Sequence, residues 1–389
     1  MRILYHHRTS GSDAQGVHIQ EMVAAFRCLG HEVSVAALAD SKPAAERGHA
    51  TWKRWVLQIP FGYEVVQLLY NLVGVSMLLR HWRREPFDFL FERYALLNFA
   101  GVVTARLMRR PVILEVNAPL AMEQHREGVI RLLRLARWIE RCILNSATRV
   151  IAVSGPLRDI LVQTGVESGR IAVVPNGVNP DRFQPVASAL HGRREYGLEG
   201  RVVIGCVGWF RPWHGVELLL EAFHRHAMAA RGAVLLLVGD GPAMPALRSY
   251  TLRHGLQECV RFTGAVPHDR IPEYLSLIDI ATQPAANEYC CPMKIIEYMA
   301  LGKAIVAPRQ PNVTELLEDD RQALLFQPGD SDSMAGALGR LLEDPAARAR
   351  LGKAASAAIH QRRLLWTENA RAVLEMVDTA TRSASSVAS

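Results

Sequence analysis

Cysteine is scarce in these 389 residues. Six are present (Cys28, Cys142, Cys206, Cys259, Cys290 and Cys291), set in apolar runs and without zinc-ligand spacing. That argues against a disulfide scaffold and for buried thiols in a reducing compartment. No cationic segment with an apolar stretch behind it stands ahead of the first strand-like run, residues 1–7, so no secretion leader is expected. Long clean apolar runs are missing too. The longest, residues 56–79, is interrupted by Gln58, Glu64, Gln67 and Asn71, which argues against a membrane-spanning helix and for a cytoplasmic chain. The Gly-Lys-Ser/Thr ending of a phosphate-binding P-loop is absent. So is the GxGxxG pattern of a nicotinamide site, which Val238-Gly-Asp-Gly-Pro242 does not meet. No recognition module points to a nucleic-acid partner. The only Asp-x-Asp, Asp330-Ser-Asp332, precedes a late helix and reads as an N-cap, so no metal is expected.

What is present is a globular composition, 49% hydrophobic and 21% charged, with a net charge of +7 and a mean hydropathy of +0.05. A basic balance suits an anionic partner such as a nucleotide or an anionic membrane surface. Short apolar runs alternate with helical patterns throughout. Strands are expected at 2–6, 32–37, 87–92, 112–116, 149–153 and 171–174. After a looser, linker-like stretch at 186–200 the series restarts at 202–207, 233–238, 261–263, 278–282, 304–307 and 323–326. Helices at 19–29, 215–226, 271–277 and 334–342 fall between them. Such alternation means parallel sheets covered on both faces, and the length suits two doubly wound domains. The boundaries expected are 1–187, with a terminal helix 366–380 packing back on it, and 188–365. Ligands of such sheets bind beyond the carboxyl ends of the strands, so a cleft between two facing domains is the expected site.

The strand-end loops are therefore the places to search. Thr9-Ser-Gly-Ser-Asp-Ala-Gln-Gly16-Val-His18 is a Gly/Ser segment leading into a helix, suited to backbone approach by a phosphate or a sugar. Val174-Pro-Asn-Gly-Val-Asn179 is a turn. Asn-Glu-Tyr-Cys-Cys-Pro-Met-Lys-Ile-Ile-Glu-Tyr-Met-Ala-Leu-Gly, residues 287–302, is the most informative. Pro292 suits a first helical turn and Gly302 the C′ position. Lys294 and Glu297, three apart, share a face. Free amides and a Lys at a helix start hold phosphate, and a carboxylate one turn in accepts two hydroxyls, as a ribose diol offers. The plainer reading is a surface helix with a solvated Lys–Glu pair.

Taken in order, these landmarks resemble the retaining glycosyltransferases of family GT4, which have the GT-B fold: two facing Rossmann-like α/β domains. The matching pieces are Gly16-Val-His18, Leu29-Gly-His-Glu-Val33, Val153-Ser154, Val174-Pro-Asn-Gly-Val178 and Val207-Gly-Trp-Phe-Arg-Pro-Trp-His-Gly215. Leu237-Val-Gly-Asp-Gly-Pro242, Phe262-Thr-Gly-Ala-Val266 and residues 292–302 complete the series. The resemblance implies transfer of a sugar from a nucleoside-diphosphate donor to a glycan or polyprenyl-linked acceptor, in cell-surface or exopolysaccharide synthesis. It puts Glu297 on the ribose, the backbone of Pro292, Met293 and Lys294 on the diphosphate, and Gly264 and Val266 at the base. Arg211 would neutralise the leaving group. Gly16 and His214 complete the donor set, and His18 belongs to the acceptor side.

Three departures qualify this. His214 stands where the family commonly has Lys, and carries full charge only near or below pH ~6.5 unless shifted; Lys294 is the candidate for the missing charge. The family's first glutamate lies eight positions before the second, which here is Tyr289. Either the loop is re-registered so that Glu288 reaches the donor sugar, the reading taken, or that role is unfilled. Asn117 replaces an active-site His; it orients a hydroxyl but is no base. Departing phosphate can take the acceptor proton instead. A sugar-nucleotide 2-epimerase, or a non-catalytic sugar-nucleotide binder, remain the alternatives.

Arg131, Arg134, Arg137 and Arg141 fall on one side of a helix with Trp138, while Leu132, Leu135, Ile139, Cys142 and Ile143 line the opposite side. Trp52-Lys-Arg-Trp55 and Arg80-His-Trp-Arg-Arg84 add further Trp and Arg. Cations interleaved with Trp suit an anionic bilayer or a lipid-diphosphate acceptor, and predict peripheral association at the inner membrane face. An ordinary solvated basic face is the competing reading.

Overall fold

The structure, a computed structural model, describes residues 1–9, 14–37, 61–184, 186 and 189–388. The expected Trp52–Trp55 cluster lies outside them. The chain divides into two compact units, Met1–Pro175 with Trp366–Ser389, and Asn176–Leu365.

The first unit is built on a parallel sheet of six strands: β1 (Arg2–His7), β2 (Glu32–Ala37), β3 (Phe89–Arg93), β4 (Val112–Val116), β5 (Arg149–Ala152) and β6 (Ile171–Val173), in the order β2-β1-β3-β4-β5-β6. Apolar runs with hardly a polar residue, such as Val112–Val116, are what a strand buried on both faces requires. The helices Ala14–Cys28, Gly62–Arg84, Ala100–Leu107, Leu120–Arg126, Leu133–Ser146 and Gly155–Gln163 connect the strands. The last helix of the chain, Trp366–Ala388, packs against Ala14–Cys28.

The second unit repeats the plan with β7 (Val202–Val207), β8 (Ala233–Val238), β9 (Val260–Phe262), β10 (Ile280–Thr282), β11 (Ala304–Pro308) and β12 (Ala323–Phe326), in the order β12-β11-β10-β7-β8-β9. Its core includes Phe210, Phe223, Phe326 and the fully buried strand β8. Strand order reverses between β7 and β10 here, and between β1 and β3 in the first unit. Those are the points where doubly wound sheets open a crevice.

Two expectations need correcting. The units divide at 175/176, not at 187/188. The loose stretch at 186–200 contains the helix Ala189–Glu195, and Arg193 fastens it to the second unit by donating to Leu277 O (2.9 Å) and Asp279 Oδ1 (2.6 Å). The thiols are not uniformly buried either: all six are free, but Cys28 and Cys142 are exposed because their helices turn those positions to solvent.

Candidate functional site

In the second unit the loops after β7, β8, β9 and β10 come together around the start of the helix Met293–Ala300. Glycines make the approach possible. Gly239 has φ 128°, and a Cβ there would lie 2.0 Å from Gly208 O; Gly241 has φ 145° and would place a Cβ 2.5 Å from Phe210 O. With both side chains absent, Phe210 N–H donates to Asp240 O (2.6 Å) and Gly208 N–H to Val238 O (2.9 Å), clamping the two loops together. Gly239 N–H donates to Thr263 Oγ1 (3.2 Å), which ties in the loop carrying Gly264 and Val266. Gly264 has φ 73° and no heavy atom within 4 Å of a Cβ position, so this turn has open space beside it.

Pro292 is the N-cap, with extended backbone, and the helix begins at Met293. Tyr298 fixes it in place: its hydroxyl accepts from Val207 N–H (3.1 Å) and donates to Thr282 O (3.4 Å), reaching the ends of both β7 and β10. Lys294, one turn earlier on the same face, extends towards Gly208, where a Cβ would lie 2.9 Å from its Nζ. That Nζ is buried and has no hydrogen-bond partner. A buried ammonium without a partner, at a helix N-terminus and at the switch point of a parallel sheet, has the chemistry to meet an anion.

His214 lies between charges. Burial first, then Lys294 and Arg211, push its pKa down to about 3, so it is neutral and gives no cation to the site. Arg211 is exposed, its guanidinium carbon 4.9 Å above the Trp213 ring. Glu297 is buried, and its Oε1 lies 3.1 Å from His268 Nε2. His268 escaped the sequence reading; it lies two residues past the recognised Val266, but nothing local shows that it meets Glu297. Glu288 is on an exposed part of the loop after β10. Asn312 holds that loop by donating to Asn287 O (2.9 Å) and Cys290 O (2.7 Å).

The remaining expected residues lie in the first unit. Gly16 is buried in the first turn of the helix Ala14–Cys28. His18 is buried, with Nε2 3.1 Å from Glu115 Oε1 and its ring edge-on to Trp366. Burial raises the Glu115 pKa, but His18, Arg93 and Asn117 together outweigh it, and the net shift is downward. Asn117 thus stands beside a charged, buried carboxylate. Asp330 caps its helix, accepting from Asp332 N–H and Ser333 N–H (both 2.9 Å). Among the described residues no group of three or more His, Cys, Asp or Glu side chains is placed to hold a metal.

The basic helix differs from its expected pattern. Ala136, Glu140, Ile143 and Leu144 face the core of Leu133–Ser146, while Leu132, Leu135 and Cys142 are exposed beside Arg131, Arg134, Arg137 and Trp138. The buried stripe is centred on the Leu133–Ala136–Glu140 row, which rotates the helix away from the expected division. Gly62–Arg84 is long and apolar enough to cross a membrane by length and composition. One face is fastened to the fold: Glu64 Oε1 accepts from Arg131 N–H (2.8 Å), and Asn71 donates to Leu97 O (2.9 Å) and accepts from Phe99 N–H (2.7 Å). The other face exposes Val65, Leu69 (57%), Leu72 (69%) and Val73.

The sequence matches two family descriptions, Glycosyltransferase Family 4 over residues 15–182 and Glycosyl transferases group 1 over residues 201–344. A 2-deoxystreptamine glucosyltransferase from Streptomyces kanamyceticus is 30% identical over 73% of this chain and 75% of its own. A D-inositol 3-phosphate glycosyltransferase from Streptomyces avermitilis is 26% identical over 90% and 80%. Among solved structures, HepE from Anabaena in complex with UDP superposes with a TM-score of 0.77 at 19% identity, covering 97% of this chain and all of that one.

Proposed function

This chain belongs to the family 4 glycosyltransferases, with the two-domain GT-B fold; on that premise we propose that it moves a hexosyl group from a nucleoside-diphosphate donor to a glycan or lipid-linked acceptor, retaining the anomeric configuration and using no metal. The observation that carries the donor assignment is the buried, unpartnered Lys294 ammonium at the start of Met293–Ala300. It and Arg211 would meet the diphosphate with preorganised positive charge, which counts most as the glycosidic bond breaks and negative charge builds on the leaving group. The free amides of Met293 and Lys294 add donors. Glu297 would hold the ribose, with His268 fixing one of its oxygens. Gly264 and Val266 border the open turn where a base fits. Departing phosphate would accept the acceptor's proton while Asn117 orients a hydroxyl. Glu288, on its exposed loop, would reach the donor sugar only once that loop closes over it.

A panel of UDP- and GDP-sugars, read by thermal shift, tests the reading. The cognate donor should stabilise the protein by RT ln(1 + [L]/Kd). Glu297→Ala should weaken it about ten- to a hundredfold, the worth of one or two hydrogen bonds to a charged acceptor. Unchanged donor affinity would remove Glu297 from the ribose.

The exposed apolar row of Gly62–Arg84 ends in Arg80, Arg83 and Arg84, and Leu135 and Trp138 stand among arginines on Leu133–Ser146. An apolar stripe edged by cations suits an anionic bilayer, and this supports the reading that the enzyme works at the inner membrane face in cell-surface or exopolysaccharide synthesis. Leu69→Glu with Leu72→Glu should abolish flotation with anionic vesicles at low salt. Flotation unaffected by the pair, or none by the wild type, would discard the membrane assignment.

A further inference from the structure

We propose that Asn312 positions Glu288 for the donor sugar, by closing the turn on which that carboxylate stands; this rests on the reading of Glu288 as a contact of that sugar. Asn312 lies in the short helix Pro311–Thr314, which follows β11, and is 1% exposed. A buried amide needs hydrogen-bond partners, and this one spends its N–H bonds on a single turn of the loop after β10. Its Nδ2 donates to Asn287 O (2.9 Å) and to Cys290 O (2.7 Å). Between those two carbonyls lie Glu288 and Tyr289, and Cys290 N–H donates back to Asn287 O (3.3 Å). The four residues form a β-turn whose first and last carbonyls are held by one side chain, with Glu288 exposed at its first corner.

The amide's orientation follows from its partners, since the reverse would set Oδ1 against two carbonyl oxygens. The flanks of the turn are secured in the same way. Gln310 Nε2 donates to Ala286 O (3.3 Å) on one side. On the other, Asn176 Nδ2 donates to Cys291 O (2.8 Å), where the chain enters Pro292 and the helix Met293–Ala300. With main chain tied down on both sides, the closure that brings Glu288 to the sugar is confined to the turn itself. The displaced glutamate then has a structural reason. The carbonyls that Asn312 holds set the corners of the turn, and the carboxylate is written at the first corner, Glu288, rather than at the second, Tyr289. A turn left unheld would have to be ordered by the donor, which would spend part of the sugar's binding on it.

Titration calorimetry of the full chain compares each UDP- and GDP-sugar of the panel with UDP or GDP alone; the ratio of the two affinities is what the sugar adds. For the sugar that adds most in the wild type, Glu288→Ala should cut that ratio about tenfold, the worth of one hydrogen bond to a charged acceptor. The bare nucleotide should bind as before. Asn312→Ala should cut the ratio by as much or less, again without touching the bare nucleotide. The double variant should lose no more than Glu288→Ala alone, because Asn312 acts through Glu288. Should Asn312→Ala not fold, Asn312→Leu keeps the bulk without the donors and should show the same loss. A side chain that served only the fold would move bare-nucleotide and sugar-nucleotide affinity together, and its loss would add to that of Glu288→Ala. Either result overturns the proposal, as does an unchanged ratio in a folded Asn312 variant, and each leaves the donor reading standing. An unchanged ratio in Glu288→Ala, or no sugar that adds affinity in the wild type, would take Glu288 out of the donor reading and this proposal with it.

Discussion

Glu140 is a buried carboxyl in the middle of Leu133–Ser146, on the face turned to the core. Burial raises its pKa from 4.5 to about 7, against the opposing pull of the Ala121 amide, Tyr94 and Arg137. The folded protein thus holds this proton more tightly than the unfolded chain does. Between pH 4.5 and 7 the unfolded chain releases it first, so stability falls as pH rises and the loss is complete above about 7. Glu140→Gln keeps the shape and cannot ionise. It should be more stable than the wild type at pH 8 by about 3 kcal/mol, on the order of 5–10 °C in melting temperature, and equal to it near pH 4. A constant difference across that range would place the ionisation elsewhere. Single residues of this kind are hard to read from sequence, because their properties come from neighbours distant along the chain. Lys294 and Glu297 were legible since a three-residue spacing on a helix is local. His268 was not, since its contact with Glu297 is a tertiary fact.

At the scale of elements, the strands were the most readable feature. β2, β4, β7, β8 and β12 occupy the expected residues; β4, β7 and β8 are written as continuous apolar runs, as parallel strands buried on both faces must be, while β2, at the sheet edge, mixes exposed and buried positions. β3 and β10 begin later than their apolar runs do, at Phe89 and Ile280; just before them Asp88 N–H donates to Arg2 O (2.7 Å) and Asp279 N–H to Val203 O (2.9 Å). The Gly-Asp-Gly-Pro segment was legible as a landmark of the resemblance, but the reason for its glycines appears only where the β7 and β8 loops touch. Gly241→Ala would combine a φ of 145° with a Cβ 2.5 Å from the Phe210 carbonyl. The cost should be about 2–4 kcal/mol, since the obstacle is backbone that cannot rotate aside. Because Phe210 belongs to the same loop as Arg211, donor affinity should fall together with the melting temperature. A stable Gly241→Ala protein with weakened donor binding would instead mean that the loop shifts at little cost.

Across the whole molecule, the chain leaves the first unit at Pro175 and returns to it at Trp366. The returning helix buries Trp366, Ala370, Val373 and Val377, a single stripe at helical spacing, and Asn369 donates to Pro175 O (2.7 Å). His18 meets Trp366 edge-on at 4.8 Å between ring centroids, so the stripe also backs the His18–Glu115 pair. Burial of these side chains is worth on the order of 5 kcal/mol, comparable with the net stability of a domain. The second unit, Asn176–Leu365, draws nothing from that helix for its own core. A chain ending at Leu365 should therefore lose the cooperative unfolding of the first unit while the second still melts as a unit. In calorimetry, the surviving transition should rise on addition of the cognate nucleotide, because Lys294, Glu297, Gly264 and Arg211 all belong to that unit. Two unaltered transitions in the shortened chain would show that the last helix is dispensable to the first sheet. A surviving transition that ignores nucleotide would show that the donor residues gathered around Met293–Ala300 are not sufficient to bind it.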